Sequence, residues 1–125
     1  MRKTKFIFEN LNVWQKAVDF AVKVIDVSEE METKRKHYRL IEQIEAASTS
    51  IALNIAEGKG RYSKKEFIQF LYIARASLYE TITLFIIFYK KNWITDSQLE
   101  ELEVFAEEIS KMLSNLIVSI KDSQN

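Results

Sequence analysis

The sequence predicts an all-α fold, an antiparallel up-and-down four-helix bundle, and three observations carry that prediction. The 125 residues contain no proline and only two glycines, so long helices can run without the residues that break them. Apolar residues recur at three- and four-residue intervals in four separate stretches, the spacing that gathers them on one helix face. The polar breaks between those stretches are short, and a short connection makes consecutive helices antiparallel neighbours. Hydrophobic residues form 47% of the chain, enough for one domain over residues 1–125 to bury a core without staples.

The first helix is expected from Asn10 or Asn12. Leu11, Trp14, Val18, Ala21 and Ile25 make one face, and Ala17, Phe20, Val24 and Val27 a neighbouring one. Phe6 and Phe8 alternate ahead of it, the pattern of an extended arm over about residues 1–10. The run E-E-M-E-T-K-R-K at 29–36 lacks an apolar period and reads as a connection. A second helix over 37–58 follows from Leu40, Ile44, Ala47, Ile51 and Ile55. Gly58 is expected to close it in the left-handed conformation, with Gly60 as a second positive-φ position. Ser63 with Glu66 three residues on is a capping-box start for a third helix over 64–91. Its apolar side, Phe67, Phe70, Leu71, Ala74, Leu78, Phe85 and Tyr89, is widened by Ile68, Tyr72, Ile73, Ile86 and Ile87 beyond what one partner covers. Thr95 and Gln98 form a second capping box, with Asp96 favouring the positive start of the fourth helix. That helix carries Leu99, Leu102, Ala106, Ile109, Leu113, Leu116 and Ile120 at alternating three and four, the seam of left-handed helix packing. The tail at 121–125 is expected to fray.

Composition excludes several classes of function. Without cysteine there are no disulfides, thiolate metal sites or cysteine nucleophiles. The N-terminus lacks a signal-peptide pattern and no uninterrupted apolar run approaches about 18 residues, so a soluble, cytoplasmic protein with no membrane contact is expected. The net charge is zero, yet residues 1–93 hold 16 bases and 11 acids while 94–125 hold 2 and 7. The last helix is acidic and the remainder basic.

Paired carboxylates such as Glu29 with Glu32 and Glu42 with Glu45 invite a metal or hydrolase reading. Di-iron bundles need Glu-x-x-His motifs, and the single histidine, His37, stands in a basic connection. All-α nucleotide pyrophosphatases follow E-x-x-E with E-x-x-D, which does not occur here. The glutamates are read as solvated faces. No enzyme activity, cofactor, metal or small-molecule substrate is expected.

Two basic clusters are more informative. Lys59, Arg61, Lys64 and Lys65 surround the glycine corner, and Lys34, Arg35, Lys36 and Arg39 precede or open the second helix. Bases at a helix start oppose the macrodipole, and a helix N-terminus flanked by Lys and Arg suits phosphate. The bundle topology places Arg2, Lys3 and Lys5 beside the first cluster. Trp14, Trp93, Tyr62 and Tyr72 are candidate stacking platforms; helical spacing reads the others as core and leaves Tyr62, in the corner itself. Ser50, Asn54 and Glu57 on the second helix and Ser77 and Glu80 on the third are expected to face each other. There they fix helix register, with Glu57 or Glu80 accepting from Arg61 or backbone amides.

Four stretches carry a family resemblance over nearly the whole chain: L-N-V-W-Q-K-A at 11–17, S-I-A-L-N-I-A-E-G-K-G-R at 50–61, S-K-K-E-F at 63–67 and F-L-Y-I-A-R-A-S-L-Y-E at 70–80. The sequence resembles the bacterial four-helix-bundle family of the 23S ribosomal RNA intervening-sequence proteins. The resemblance implies a ring-like homopentamer, and a related branch, the accessory protein of diversity-generating retroelements, is a basic pentameric barrel that binds nucleic acid and a reverse transcriptase. It implies no established activity. The chain departs from the family pattern at Glu45 and Ala46, where arginine is usual, and at Ala76, where glycine is usual; the first change removes positive charge. The sequence reading is therefore a homo-oligomeric, non-catalytic module that binds RNA or a ribonucleoprotein through basic rims, or else a protein–protein hub that binds no nucleic acid.

Overall fold

The computed structural model describes residues 6–123. Four helices, α1 (Asn12–Glu30), α2 (Tyr38–Lys59), α3 (Lys64–Lys90) and α4 (Asp96–Asp122), follow a short 3-10 turn over Ile7–Asn10. Each helix packs on its sequence neighbours and α4 returns to α1, so the four form a closed square with no strand among the described residues. The expected extended arm is replaced at residues 7–10 by that turn. It is held by the Phe6 N–H donating to Glu9 Oε2 at 3.0 Å and by Gln15 Nε2 donating to the Glu9 carbonyl at 2.7 Å. The Phe8 ring then meets Trp14 edge-on at 5.1 Å.

The core runs the length of the square. Phe20, Val24, Ile44, Ile51, Ile55, Leu71, Leu78, Phe85, Phe88, Leu102, Ile109 and Leu113 are fully buried, each worth about 1.5–3 kcal/mol of transfer from water. On α1 the two faces part company: Ala17, Phe20, Val24 and Val27 are core, whereas Trp14, Val18 and Ile25 are half-buried beside the exposed Val22. Two ion pairs close the seam between α1 and α4, Lys16–Glu108 at 2.5 Å and Lys23–Glu101 at 2.7 Å. The helix starts follow the expected capping. Ser63 Oγ accepts from the Glu66 N–H at 3.1 Å, and Thr95 and Gln98 form a reciprocal box. At the other terminus α4 stays helical through Asp122, where fraying from 121 was expected.

The glycine corner differs from expectation. No glycine among the described residues has a positive φ; Gly58 lies inside α2, and Gly60 caps it at φ −80°. Gly58 is buried because α3 crosses over it: a Cβ there would stand 2.7 Å from Phe70 Cβ and 2.9 Å from Phe67 Cδ1. Its requirement is space, not backbone conformation. The left-handed residue is Asn92, φ 63°, at the end of α3. Its N–H donates to the Tyr89 carbonyl at 2.9 Å and the Trp93 N–H to the Phe88 carbonyl at 2.9 Å. That pair of bonds is a Schellman closure, completed by the Phe88–Trp93 ring contact.

By length and composition α3 is the one helix among the described residues apolar enough to cross a membrane, with 39% of its most apolar window buried. Burial against α2 and α4 explains part of that hydropathy, and the rest lies on its outer face.

Candidate nucleic-acid interface

The up-and-down topology puts the two basic clusters at opposite ends of the bundle. At the end formed by the α2–α3 connection, most of the bases have intramolecular work. Arg61 pairs with Glu57 at 3.4 Å and lies over the Phe70 ring at 4.8 Å. Lys59 stands 5.6 Å over the Phe67 ring, and Lys64 Nζ donates to the Ser123 carbonyl at 2.6 Å. Only Lys65 and the fully exposed Tyr62 have no side-chain partner among the described residues. Arg2, Lys3 and Lys5, expected beside this corner, lie outside the described residues.

The polar residues between α2 and α3 meet in part. Ser50 Oγ and Ser77 Oγ are 2.9 Å apart, and Asn54 Nδ2 donates to Ser50 Oγ and to its carbonyl at 2.8 Å. These short side chains bring the two helices close, as the small residue Gly58 does one turn further on. Glu57 and Glu80 stand apart from this cluster. Glu57 is exposed and pairs with Arg61; Glu80 is exposed and pairs with none of the described residues. The expected pairing of Arg61 with Glu57 is present, but the two carboxylates do not join the Ser50–Asn54–Ser77 cluster as a single network, because both are exposed.

The opposite end is organised differently. Lys34, Arg35, Lys36 and Arg39 are exposed and none makes an ion pair or side-chain hydrogen bond among the described residues. They flank the start of α2, whose N-cap, His37, provides no side-chain cap and whose first turn contains no acid. Nothing there offsets the positive pole of the helix. The α3–α4 connection reaches the same end and adds Lys91, also unpaired. Lys34, Arg35 and Lys91 together border a cleft of about 690 Å³ whose other lining includes His37 and Trp93. His37 and Trp93 are ring neighbours at 4.4 Å, and Trp93 continues to Phe88 at 5.4 Å. Glu32 is the one carboxylate lining the cleft.

Helical spacing sets Trp93 aside as core, and the charge run alone does not include Lys91. The signal that finds them is topological: in an up-and-down bundle the first and third connections share an end, so K-K-N-W at 90–93 has to meet K-R-K-H at 34–37. Elsewhere, a groove of about 570 Å³ between α1 and α4 has its lysines neutralised by Glu101 and Glu108. A further groove of about 470 Å³ between α1 and α2 is lined by Trp14, Val18, Val22, Leu53 and other apolar groups. Among the described residues no cluster of three or more metal-ligating side chains occurs.

Among the described residues Lys23 and Tyr89 have displaced pKa values, both through hydrogen bonds to carboxylates away from the cleft. Lys23 is raised by its bond to Glu101, against desolvation that lowers it. Tyr89 is raised by donating to Asp96, whose charge and the phenol's own desolvation act in the same direction.

A comparison with curated proteins finds no match. Among solved structures, the chain is similar to a protein of unknown function from the S23 ribosomal protein family of Bacteroides thetaiotaomicron. The two are 30% identical, with a TM-score of 0.78, over 84% of this chain and 97% of the other. A family model, the 23S rRNA-intervening sequence protein, matches residues 9–115. With the N-I-A-E-G corner, the four helices and the fold all in agreement, the chain belongs to the 23S rRNA-intervening sequence protein family.

Proposed function

We propose that the protein is a non-catalytic, homo-oligomeric, cytoplasmic module that binds RNA or a ribonucleoprotein through the bundle end carrying the α1–α2 and α3–α4 connections. The observation that carries this reading is the set of unpaired bases there, Lys34, Arg35, Lys36, Arg39 and Lys91, around an uncapped helix start. A cation with no internal partner is available to phosphate, and phosphate contacts sum over a surface. The corner bases contribute less, since Arg61, Lys59 and Lys64 have partners to give up.

Assembly is supported by surplus apolar surface in the α1–α2 groove and on α3. The α1–α2 groove exposes Val22 at 54% and Leu53 at 66%, while the outer face of α3 exposes Ile73 at 48% and Ile87 at 44%. Monomers rarely leave such patches in water. A concave patch meeting a convex one on another copy is a head-to-tail contact, which closes into a ring when the rotation permits. Five copies in that ring is the number that the resemblance to the intervening-sequence family implies.

The test is a gel shift with single-stranded RNA across a salt series. Binding should weaken steeply with salt, roughly one logarithmic unit of slope per phosphate contact. Changing Lys34, Arg35, Lys36 and Arg39 to Gln should abolish the shift with little change in melting. The same four-residue change at Lys59, Arg61, Lys64 and Lys65 should cost less binding and more stability. No shift at low salt rejects the RNA reading in favour of a protein–protein hub, for which the apolar faces and the acidic outer side of α4 would be the contact surfaces.

A further inference from the structure

The unpaired bases at the α1–α2 end do not stand on a flat surface. Phe88, Trp93 and His37 form a run of three rings in tilted contact leading outward from the core, with successive centroids 5.4 and 4.4 Å apart and ring planes inclined by 40° and 32°. Phe88 is buried, while Trp93 and His37 are half-buried. His37 and Trp93 line both the cleft of about 690 Å³ and a neighbouring one of about 560 Å³. The platform is fixed rather than adaptable. Trp93 is held at its backbone by the Schellman closure through its own N–H, and His37 is the N-cap of α2. Its size falls in the range of roughly 300–1,000 Å³ typical of small-ligand sites.

Phosphates alone need no cavity and no aromatic wall; a base needs both. We infer that this cleft takes one unpaired nucleotide of a single-stranded nucleic acid, its base packed against the Trp93–His37 wall and its flanking phosphates on Lys34, Arg35 and Lys91. The inference rests on the phosphate-binding reading above and adds to it the kind of strand. A duplex keeps its bases stacked on one another and offers this end only its backbone, whereas a single strand can turn a base out onto an aromatic face. Glu32 repels phosphate and accepts from an exocyclic amine, so it marks the base side of the cleft rather than the backbone side.

The experiment is fluorescence anisotropy at low salt with a labelled single-stranded RNA of about a dozen nucleotides and with the same strand annealed to its complement. Binding of the unlabelled single strand is followed in parallel by quenching of Trp93 in a Trp14→Phe background, where it is the remaining tryptophan. The wild type should bind the single strand at least tenfold more tightly than the duplex, and Trp93 emission should fall. His37→Ala removes the outer ring without removing a capping bond, so α2 stays intact. That variant should lose single-strand affinity roughly ten- to hundredfold, the size of one stacked base, with duplex affinity and salt slope unchanged. The triple change Lys34→Gln, Arg35→Gln and Lys91→Gln should weaken both ligands and flatten the salt slope. Equal affinity for the two ligands, or an unaltered single-strand affinity in His37→Ala, overturns the base cleft and leaves phosphate binding standing. Absence of binding to either RNA overturns both.

Discussion

A methyl group on Gly58 would sit 2.7 Å from Phe70 Cβ, an atom fixed to the α3 backbone, so relief requires the two helices to separate. Two effects compete at this position. Alanine is the better helix former by about 1 kcal/mol, and overpacking a closed contact costs about 1–3 kcal/mol. The nearest atom is not the far end of a flexible side chain, so the steric term wins. Gly58→Ala should lower stability by about 1–2 kcal/mol and Gly58→Val by more. Gly60→Ala meets carbonyl oxygens only at 3.5 and 3.7 Å with an ordinary φ, and should be neutral or stabilising by up to about 1 kcal/mol. Urea midpoints at constant m-value read both; a Gly58→Ala protein as stable as the wild type removes the close-approach account. Asn92 gives the complementary case. Its positive φ predicts that Asn92→Ala costs about 1 kcal/mol and Asn92→Gly almost nothing.

Between elements, the hydrogen bonds that join α3 to α4 and α1 to α4 carry a pH signature. Tyr89 donates to Asp96 across the α3–α4 connection, and Lys23 donates to Glu101 across the α1–α4 seam. Both donors hold their protons more tightly folded than unfolded. Their contribution is complete below the unfolded values, about 10 and 10.4, and is lost as pH rises through the raised folded ones. Melting temperature should therefore fall above about pH 10, and a Tyr89→Phe, Lys23→Met double variant should fall less steeply over that interval. Equal slopes would mean that neither bond contributes. Both groups are largely solvated, so the difference is small. Such contacts also mark how far the sequence was legible. The helix starts at Ser63 and Thr95 are encoded within four residues and were readable for that reason, although only Thr95 with Gln98 closes a reciprocal box and Ser63 caps α3 one way, by accepting from the Glu66 N–H. Gly58 was readable as a special position but not for the correct cause, because its constraint comes from Phe67 and Phe70 on another helix. The Lys34–Arg39 cluster stood out as a charge run, whereas Lys91 and Trp93 join it only once the chain has folded back. Conversely, of the corner bases only Arg61 had an expected partner, Glu57 or Glu80; the Phe67 and Phe70 rings and the Ser123 carbonyl come from α3 and the C-cap of α4.

For the whole molecule, the decisive question is whether the apolar faces meet unlike or like. The groove around Leu53 and Val22 is built from α1 and α2, and the exposed face around Ile73 and Ile87 belongs to α3. If the groove of one copy receives α3 of the next, each face is needed and neither pairs with itself. A groove variant, Leu53→Glu, and an α3 variant, Ile73→Glu with Ile87→Glu, should each be monomeric, since a buried unpaired charge opposes the contact by several kcal/mol. All three sites are exposed in the isolated bundle, so the monomers should melt as cooperatively as the wild type apart from the stability that assembly supplies. Mixing the two variants gives the discriminating result. The intact α3 face of the first fits the intact groove of the second, and the remaining two faces are blocked, so the mixture should stop at a dimer while the wild type runs on to a ring. Light scattering behind a sizing column reads these masses directly. If contact were instead groove to groove, the α3 variant alone would still assemble and the mixture would gain nothing, and a wild type that is monomeric at micromolar concentration would remove the ring altogether.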